Sequence, residues 1–361
     1  MNKKIVHCTY LEQKISSISN HCRDEMMTAI DEKMPWDVYL HISEERIKKT
    51  TKIALFSDRL RYYFQVFRFS RKYEIVMLRY IPADPFFALL VLFAGQKIHT
   101  VHHTKEKTEI LNKFRFSLKS IIKFLTEIIF GPLCRTFARG FLVKTNEIGT
   151  FQVIHSMGKS KSDLIIYSNA GQKKHRIEDR RSDFPTFLFI GSNLSQPWQG
   201  LDILLQLFND LQLDYRFHVI GEASFELEEE MRENPQITYH GVLSEKQIIG
   251  VASYCDIGLS VFALFRNNMS EACSLKVRQY LNLGLPVYLP HKDVFPRTFN
   301  YCKYGSGKAS DIIKYCFRAK KWSRDDVIKE SQKYISRKQI MQRTIRQLRR
   351  NLELDVSFNS I

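Results

Sequence analysis

Residues 271–290, EACSLKVRQYLNLGLPVYLP, read as a turn, an amphipathic helix, a Gly-Leu-Pro stop and a short buried strand. Leu275, Val277, Tyr280, Leu281 and Leu283 recur at the spacing of one helical face. Gly284 stands where a left-handed C-cap is wanted, and Pro286 forbids further helix. Glu271 comes just before this helix, with Ser274 and Lys276 in its first turn. A helix N-terminus offers unpaired backbone N–H groups and a positive dipole end, so this turn is a candidate seat for an anion, commonly a phosphate.

Working outward, the same strand-and-helix rhythm fills the second half of the chain. FPTFLFIG (184–191) is an apolar strand ending in Gly191, followed by the helix LDILLQLFNDL (201–211). YRFHVIG (215–221), ITYHGVL (237–243) and DIGLSVF (256–262) read as further strands. Between them lie an acidic helix (225–234) and one opened by Ser244 (244–255). Strands alternating with helices at this spacing predict a parallel, doubly wound sheet, with its ligand crevice beyond the strand C-termini. The first half is similar in kind. Candidate strands there are 3–10, 36–42, 52–56, 74–81, 97–103, 140–145 and 163–169, with a helix over 111–130. The charged stretch 171–183, GQKKHRIEDRRSD, lacks apolar periodicity and reads as a linker. These features divide the chain into an N-terminal Rossmann-like domain (1–175), a second one (176–325) and a helical tail (326–361).

Charge is unevenly placed over the 361 residues. Residues 1–180 hold 31 Lys and Arg against 18 Asp and Glu, whereas residues 181–330 hold 17 against 18. The excess of the first half implies an anionic partner there. The helix at 111–130, with Lys113, Arg115, Lys119 and Lys123 among Phe, Leu and Ile, suits an anionic membrane surface, or else a core helix with a wet basic face. The aromatic and basic stretch 59–73 is explained by an amphipathic helix on the sheet, so no nucleic-acid partner is expected. Seven scattered cysteines without a C-x-x-C pair, and no signal peptide, suggest a cytoplasmic protein, peripheral at most at the inner face of the membrane. The longest uncharged apolar run, Pro85–Gly95, is too short to span a bilayer.

The ordered set FIGSNLSQPWQGLDILL, HVIGEAS, YHGVLS, Glu271 through Gln279, and GLPVY resembles the retaining, group 1 (family 4) glycosyltransferases of the GT-B fold. HTVHHTKE (99–106) and FLVKTNEI (141–148) add weaker likeness. The resemblance implies an α/β architecture of two Rossmann-like domains facing across a cleft, with the C-terminal helix crossing back to the first. It implies transfer of a sugar from a nucleotide-sugar to a glycan or lipid-linked acceptor with retention of configuration, in cell-surface polysaccharide assembly.

Site roles follow from the same likeness. Glu271 would contact the donor sugar near its anomeric centre, and the backbone of Ser274 and Leu275, helped by Lys276, would hold the diphosphate. Gln279 stands where a Glu would accept from the ribose hydroxyls. Gly241, Val242 and Leu243 match the loop that meets the base, and Gly191, Ser192, Gln199, Gly200 and Glu222 fall on donor-side strand ends. Either His102 or His103 would face the donor sugar, and Arg79 is a candidate acceptor or phosphate contact. The chain departs from the pattern where Gln199 replaces a Lys, where Ser192 or Asn193 replaces a basic residue, and at Gln279. No cofactor or metal is expected, because there is no D-x-D pair on a strand end and no His/Cys cluster. Alternatives are a GT-B sugar-nucleotide epimerase and a catalytically weakened sugar-nucleotide binding protein.

Overall fold

The computed structural model describes residues 4–12, 16–43, 52–112, 117–171 and 177–358. The chain forms two compact units, Met1–Tyr167 with Met341–Ile361, and Ser168–Ile340. The first unit opens with β1 (Ile5–Leu11), α1 (Ser16–Asp31), β2 (Trp36–Ile42), α2 (Lys52–Lys72) and β3 (Ile75–Arg79). It continues through α3 (Pro85–Ala94), β4 (Ile98–His102), α4 (Glu106–Asn112), α5 (Leu118–Phe137), β5 (Gly140–Val143), α6 (Asn146–Ile154) and β6 (Leu164–Ile166). The second unit holds β7 (Thr186–Asn193), α7 (Leu201–Asn209), β8 (Arg216–Glu222), α8 (Phe225–Arg232), β9 (Ile237–Tyr239), α9 (Glu245–Ala252) and β10 (Ile257–Leu259). Then come α10 (Leu275–Asn282), β11 (Val287–Leu289), β12 (Cys302–Tyr304), α11 (Ala309–Ala319) and α12 (Arg324–Ile335). The last helix, α13 (Arg337–Phe358), passes into the first unit from Met341 onward.

Each unit is built on a parallel six-stranded sheet. The orders are β2-β1-β3-β4-β5-β6 and β12-β11-β10-β7-β8-β9. Parallel strands need both faces covered, and the strands comply: β1, β4, β5, β10 and β11 are buried along their whole lengths. In the second sheet the order reverses between β7 and β10, which pair in parallel through Ile257–Phe187 and Gly258–Leu188. Chain segments leaving these two strands at their C-terminal ends depart in opposite directions, and the space between them is where such sheets bind ligands.

The expected α/β architecture is the observed one, with local differences. Residues 52–56 are not a strand but the first turns of α2. The apolar run KIALF continues at helical spacing into Leu60, Tyr63 and Phe67, and a run of five cannot by itself separate the two periods. The expected helix over 111–130 is two helices, α4 and α5, with residues 113–116 between them, including Lys113 and Arg115, outside the described residues. Residues 172–176 of the expected linker also lie outside them. The remainder is tied into the second unit, where Arg181 donates to the carbonyls of Ala319, Lys320 and Trp322. At the end of α10, Gly284 has φ +70°, and a Cβ there would meet the backbone oxygen of Arg324 at 2.9 Å, so only glycine fits.

Leu275 was expected on the core face of α10, but it is 52% exposed, whereas Arg278 is 1% exposed and Lys276 is buried. The helix enters the unit so deeply that its buried surface includes positions that spacing assigns to water.

No disulfide joins the seven cysteines, all of which are buried. Among the described residues no helix is long and apolar enough to cross a membrane.

Candidate donor site at the sheet reversal

β7 ends in a stretch with Gly191 buried and Ser192 exposed. The chain then turns through Pro197–Gln199 to Gly200, whose φ of +70° starts α7. A Cβ on Gly200 would lie 2.6 Å from the Ala263 amide nitrogen, so the loop after β7 and the segment after β10 touch backbone to backbone. The Phe262 amide donates to the Gln199 carbonyl at 2.8 Å. Arg266 clamps the same two segments with a fork to Asp202 (2.9 and 2.6 Å) and a bond to the Pro197 carbonyl at 2.8 Å. These contacts hold both switch-point segments in one arrangement.

Beyond that clamp the chain reaches Ser270–Ala272, which pairs with the segment after β11. Lys292 donates its amide to the Ser270 carbonyl (3.0 Å), and Ala272 donates to the Lys292 carbonyl (2.9 Å). Glu271 is thereby fixed by its own backbone, half-buried, just before α10. Ser274 is the N-cap of α10, in extended conformation, and its hydroxyl makes no capping bond to the first-turn amides. With Leu275 exposed, this helix start is open on its outer side.

What holds the helix start is a set that sequence reasoning missed. Arg278 donates to the Ser274 carbonyl (3.1 Å), to the Asn169 carbonyl (3.3 Å) and to both carboxylate oxygens of Asp293 (2.5 and 2.6 Å). Both side chains of the Arg278–Asp293 pair are buried. Although burial disfavours its charge, the Asp293 carboxylate holds the Arg278 guanidinium above its ordinary pKa. Asn169 adds bonds from its amide to the Cys273 sulfur and from its side chain to the Cys273 carbonyl. The only signal in the sequence for this anchor was a second cation, Arg278, two positions after Lys276 in α10.

Lys276 does not point to water. Its Nζ donates to Gln199 Oε1 at 2.8 Å and lies 3.8 Å from the centre of the Phe189 ring. Burial pulls its pKa down from 10.5 to about 7. The structure therefore joins Lys276 to Gln199, the residue standing at the loop position where the resemblance expects a lysine. Glu222 is exposed at the end of β8, and its carbonyl accepts from the Leu194 amide at 2.7 Å. Gly241 accepts from the Gly221 amide at 2.8 Å, Val242 is exposed beside it, and Leu243 packs against the core. Gln279 is half-buried on α10.

The first unit separates the two histidines. His102 is fully buried, with Nδ1 2.9 Å from Glu106 Oε1 and Nε2 2.9 Å from Thr100 Oγ1. Glu106 also accepts from Gln152 Nε2 (2.9 Å), and Gln152 Oε1 accepts from Arg135 Nε (2.6 Å). Both ring nitrogens of His102 are thus committed inside the unit, which corrects its candidacy as the histidine facing the donor sugar. His103 lies just past the end of β4 and is half-buried. Burial, then the neighbouring positive charge of Arg79 and Lys144, holds its pKa well below 6.5, so its imidazole is neutral at physiological pH. Arg79 ends β3, half-buried, with its own pKa lowered by burial.

No protein-family model and no curated protein matches this chain in sequence. Solved structures are similar to it across nearly the whole length. The apo form of the lipopolysaccharide outer core galactosyltransferase WaaB matches with a TM-score of 0.62 at 12% identity, covering 96% of this chain and 99% of that one. Anabaena Alr3699/HepE in complex with UDP matches with a TM-score of 0.58 at 12% identity, covering 99% and 100%. A glycosyltransferase from Rickettsia africae ESF-5 matches with a TM-score of 0.57 at 12% identity, covering 98% of each. The fold is GT-B. At such identities the likeness speaks for the GT-B fold alone, and activity has to be argued from residues. Among the described residues no group of three or more His, Cys, Asp or Glu is placed to hold a metal ion.

Proposed function

We propose that this chain is a retaining glycosyltransferase that moves a hexosyl group from a nucleotide-sugar to a hydroxyl of a glycan or lipid-linked acceptor. The observation that carries the reading is the open start of α10. Glu271 is fixed before it, the N-cap hydroxyl makes no bond to its amides, and the Lys276–Gln199 pair lies behind it. In this reading the Leu275 and Lys276 amides and the helix dipole meet the diphosphate as negative charge builds on the leaving group. Lys276 supplies from the helix the charge that the resemblance places on the loop at position 199. Glu271 orients the donor sugar, Gly241–Leu243 meet the base, and Gln279 takes the ribose. The acceptor is assigned to the basic first unit, to Arg79 and the neutral His103.

The step balances without a cofactor, and we propose that it needs no metal. The bond from the acceptor oxygen to the anomeric carbon forms on the face from which the bond to the diphosphate oxygen breaks. The acceptor proton passes to the leaving diphosphate. Cell-surface polysaccharide assembly is the setting the resemblance suggests.

The test is a transfer assay with a panel of nucleotide-sugars and glycan acceptors, read by mass spectrometry. Glu271→Ala should lower turnover at least ~100-fold, within the range for losing one positioned group, with the unfolding midpoint unchanged. Undiminished turnover in that variant contradicts the assignment. Isomerised donor without acceptor product would point instead to epimerase chemistry.

A further inference from the structure

Three neighbouring helices of the first unit turn apolar side chains outward. The central one, α3, has no charged residue. It buries Phe87, Leu90 and Val91 yet exposes Leu92 and, at 77%, Phe93. On one flank α5 exposes Leu118, Ile122, Leu125 and Ile129, with Leu118 at 74%. The two helices are in close contact where they end: a Cβ on Gly95 would lie 2.0 Å from the Phe137 carbonyl oxygen. On the other flank α2 exposes Phe56, Leu60 and Phe64, and the Phe56 ring meets Phe86 of α3 at 5.0 Å. Exposed apolar side chains gathered on neighbouring helices mark a surface that something covers.

The charged side chains that these helices expose share one sign. Glu127, the one acid of α5, points inward, accepting from Tyr80 Oη (3.0 Å), the Ala83 amide (2.8 Å) and Arg135 (2.8 Å). Asp58, the one acid of α2, is bonded to His41 (3.0 Å) and Tyr10 (3.2 Å). The exposed charged side chains of these helices are basic: Lys119 and Lys123 on α5, and Arg61, Arg68, Arg71 and Lys72 on α2. Lys119 and Lys123 each stand next in sequence to an exposed apolar residue, Leu118 and Ile122.

We propose that this face docks on an anionic lipid bilayer, with α3 and the first turns of α5 entering the boundary between headgroups and acyl chains. Apolar side chains in one sector with lysines beside them are what an interfacial helix needs, since the lysines reach lipid phosphate while Phe and Ile lose contact with water. A protein partner fits less well, because the centres of protein interfaces are depleted of lysine. The proposal is independent of the transferase reading.

Sedimentation of the full chain with vesicles tests it without any sugar donor. Vesicles of phosphatidylcholine with about a third phosphatidylglycerol should pull the protein down, and pure phosphatidylcholine should do so far less. Lys119→Ala and Lys123→Ala should each lower partitioning about fivefold. Phe93→Ser with Ile122→Ser should lower it more than tenfold. Phe93→Trp gives a readout that needs no loss of binding: brominated acyl chains should quench its fluorescence beyond that of the native tryptophans. The proposal is overturned if anionic vesicles leave the protein in solution, if neutral vesicles bind it equally, or if binding survives all these substitutions. A vesicle-free dimer dissociated by Phe93→Ser, without vesicle binding, would reassign the face to self-association.

Discussion

Lys276→Met should make the protein more stable while weakening its hold on a nucleoside diphosphate. The Lys276 ammonium has a pKa of about 7 in the folded chain against 10.5 when solvated. Between those values the unfolded chain carries a proton that the folded chain lacks, so stability rises with pH across that window. At about 1.4 kcal/mol per pH unit, burial of this amine costs the fold roughly 4–5 kcal/mol at pH 6 and about 2 kcal/mol at pH 9. Methionine removes that term, but it leaves Gln199 without its 2.8 Å donor, a loss of about 1–3 kcal/mol. Urea unfolding should therefore show the variant more stable by roughly 2–3 kcal/mol at pH 6, and the difference should shrink by about 2.5 kcal/mol on going to pH 9. Ligand binding should change the other way. A diphosphate favours the protonated amine, so wild-type affinity should fall as pH rises through about 7, and the methionine variant should be weaker by 10- to 150-fold at pH 6. A variant that is less stable at every pH, or a stability difference that is flat in pH, would refute the reasoning.

Three further outcomes follow from the same geometry. Arg278→Met strands the buried Asp293 carboxylate and should cost about 3–5 kcal/mol in urea unfolding; a loss under 1 kcal/mol would mean that the pair does not anchor α10. The His103 imidazole, with a pKa held well below 6.5, should show no proton NMR midpoint near the ordinary histidine value of about 6.5, and a midpoint there would contradict its neutral state. His102→Phe should destabilise the first unit by about 1–3 kcal/mol by leaving Glu106 short of a partner, whereas His103→Ala should lower turnover with little change in stability. Equal effects of the two on turnover at matched stability would overturn that division.

Much of the second unit was legible because its strands end on glycines and its helices carry caps. Gly284 and Pro286 mark the end of α10, and Ser244 opens α9 with a capping box to Gln247. β12 was missed because three residues, Cys302–Tyr304, carry no periodicity. Residues 52–56 were misread because a short apolar run fits a strand and a helix equally well. The resemblance left His102 and His103 open as alternatives, because the commitment of His102 inside the unit depends on Thr100 and Glu106, whose placement is tertiary. Arg278 and Lys276 were obscured for a different reason. Charged residues normally mark the wet side of a helix, and here Asp293 and Gln199, from segments 15 and 77 positions away, make burial of both cations tolerable.

The central claim is that backbone N–H groups at the start of α10 bind a nucleoside diphosphate, and Leu275→Pro tests it most directly. Proline is well tolerated at the first position of a helix, and Ser274 before it already has the extended backbone proline requires, with φ −73° and ψ 136°. The substitution therefore removes one amide hydrogen and little else. In calorimetric titration of the two proteins with a panel of nucleoside diphosphates, the wild type should bind at least one of them, and Leu275→Pro should bind that ligand roughly 10- to 150-fold more weakly with its fold intact. Equal affinities, or no binding of any nucleoside diphosphate by the wild type, would contradict the claim.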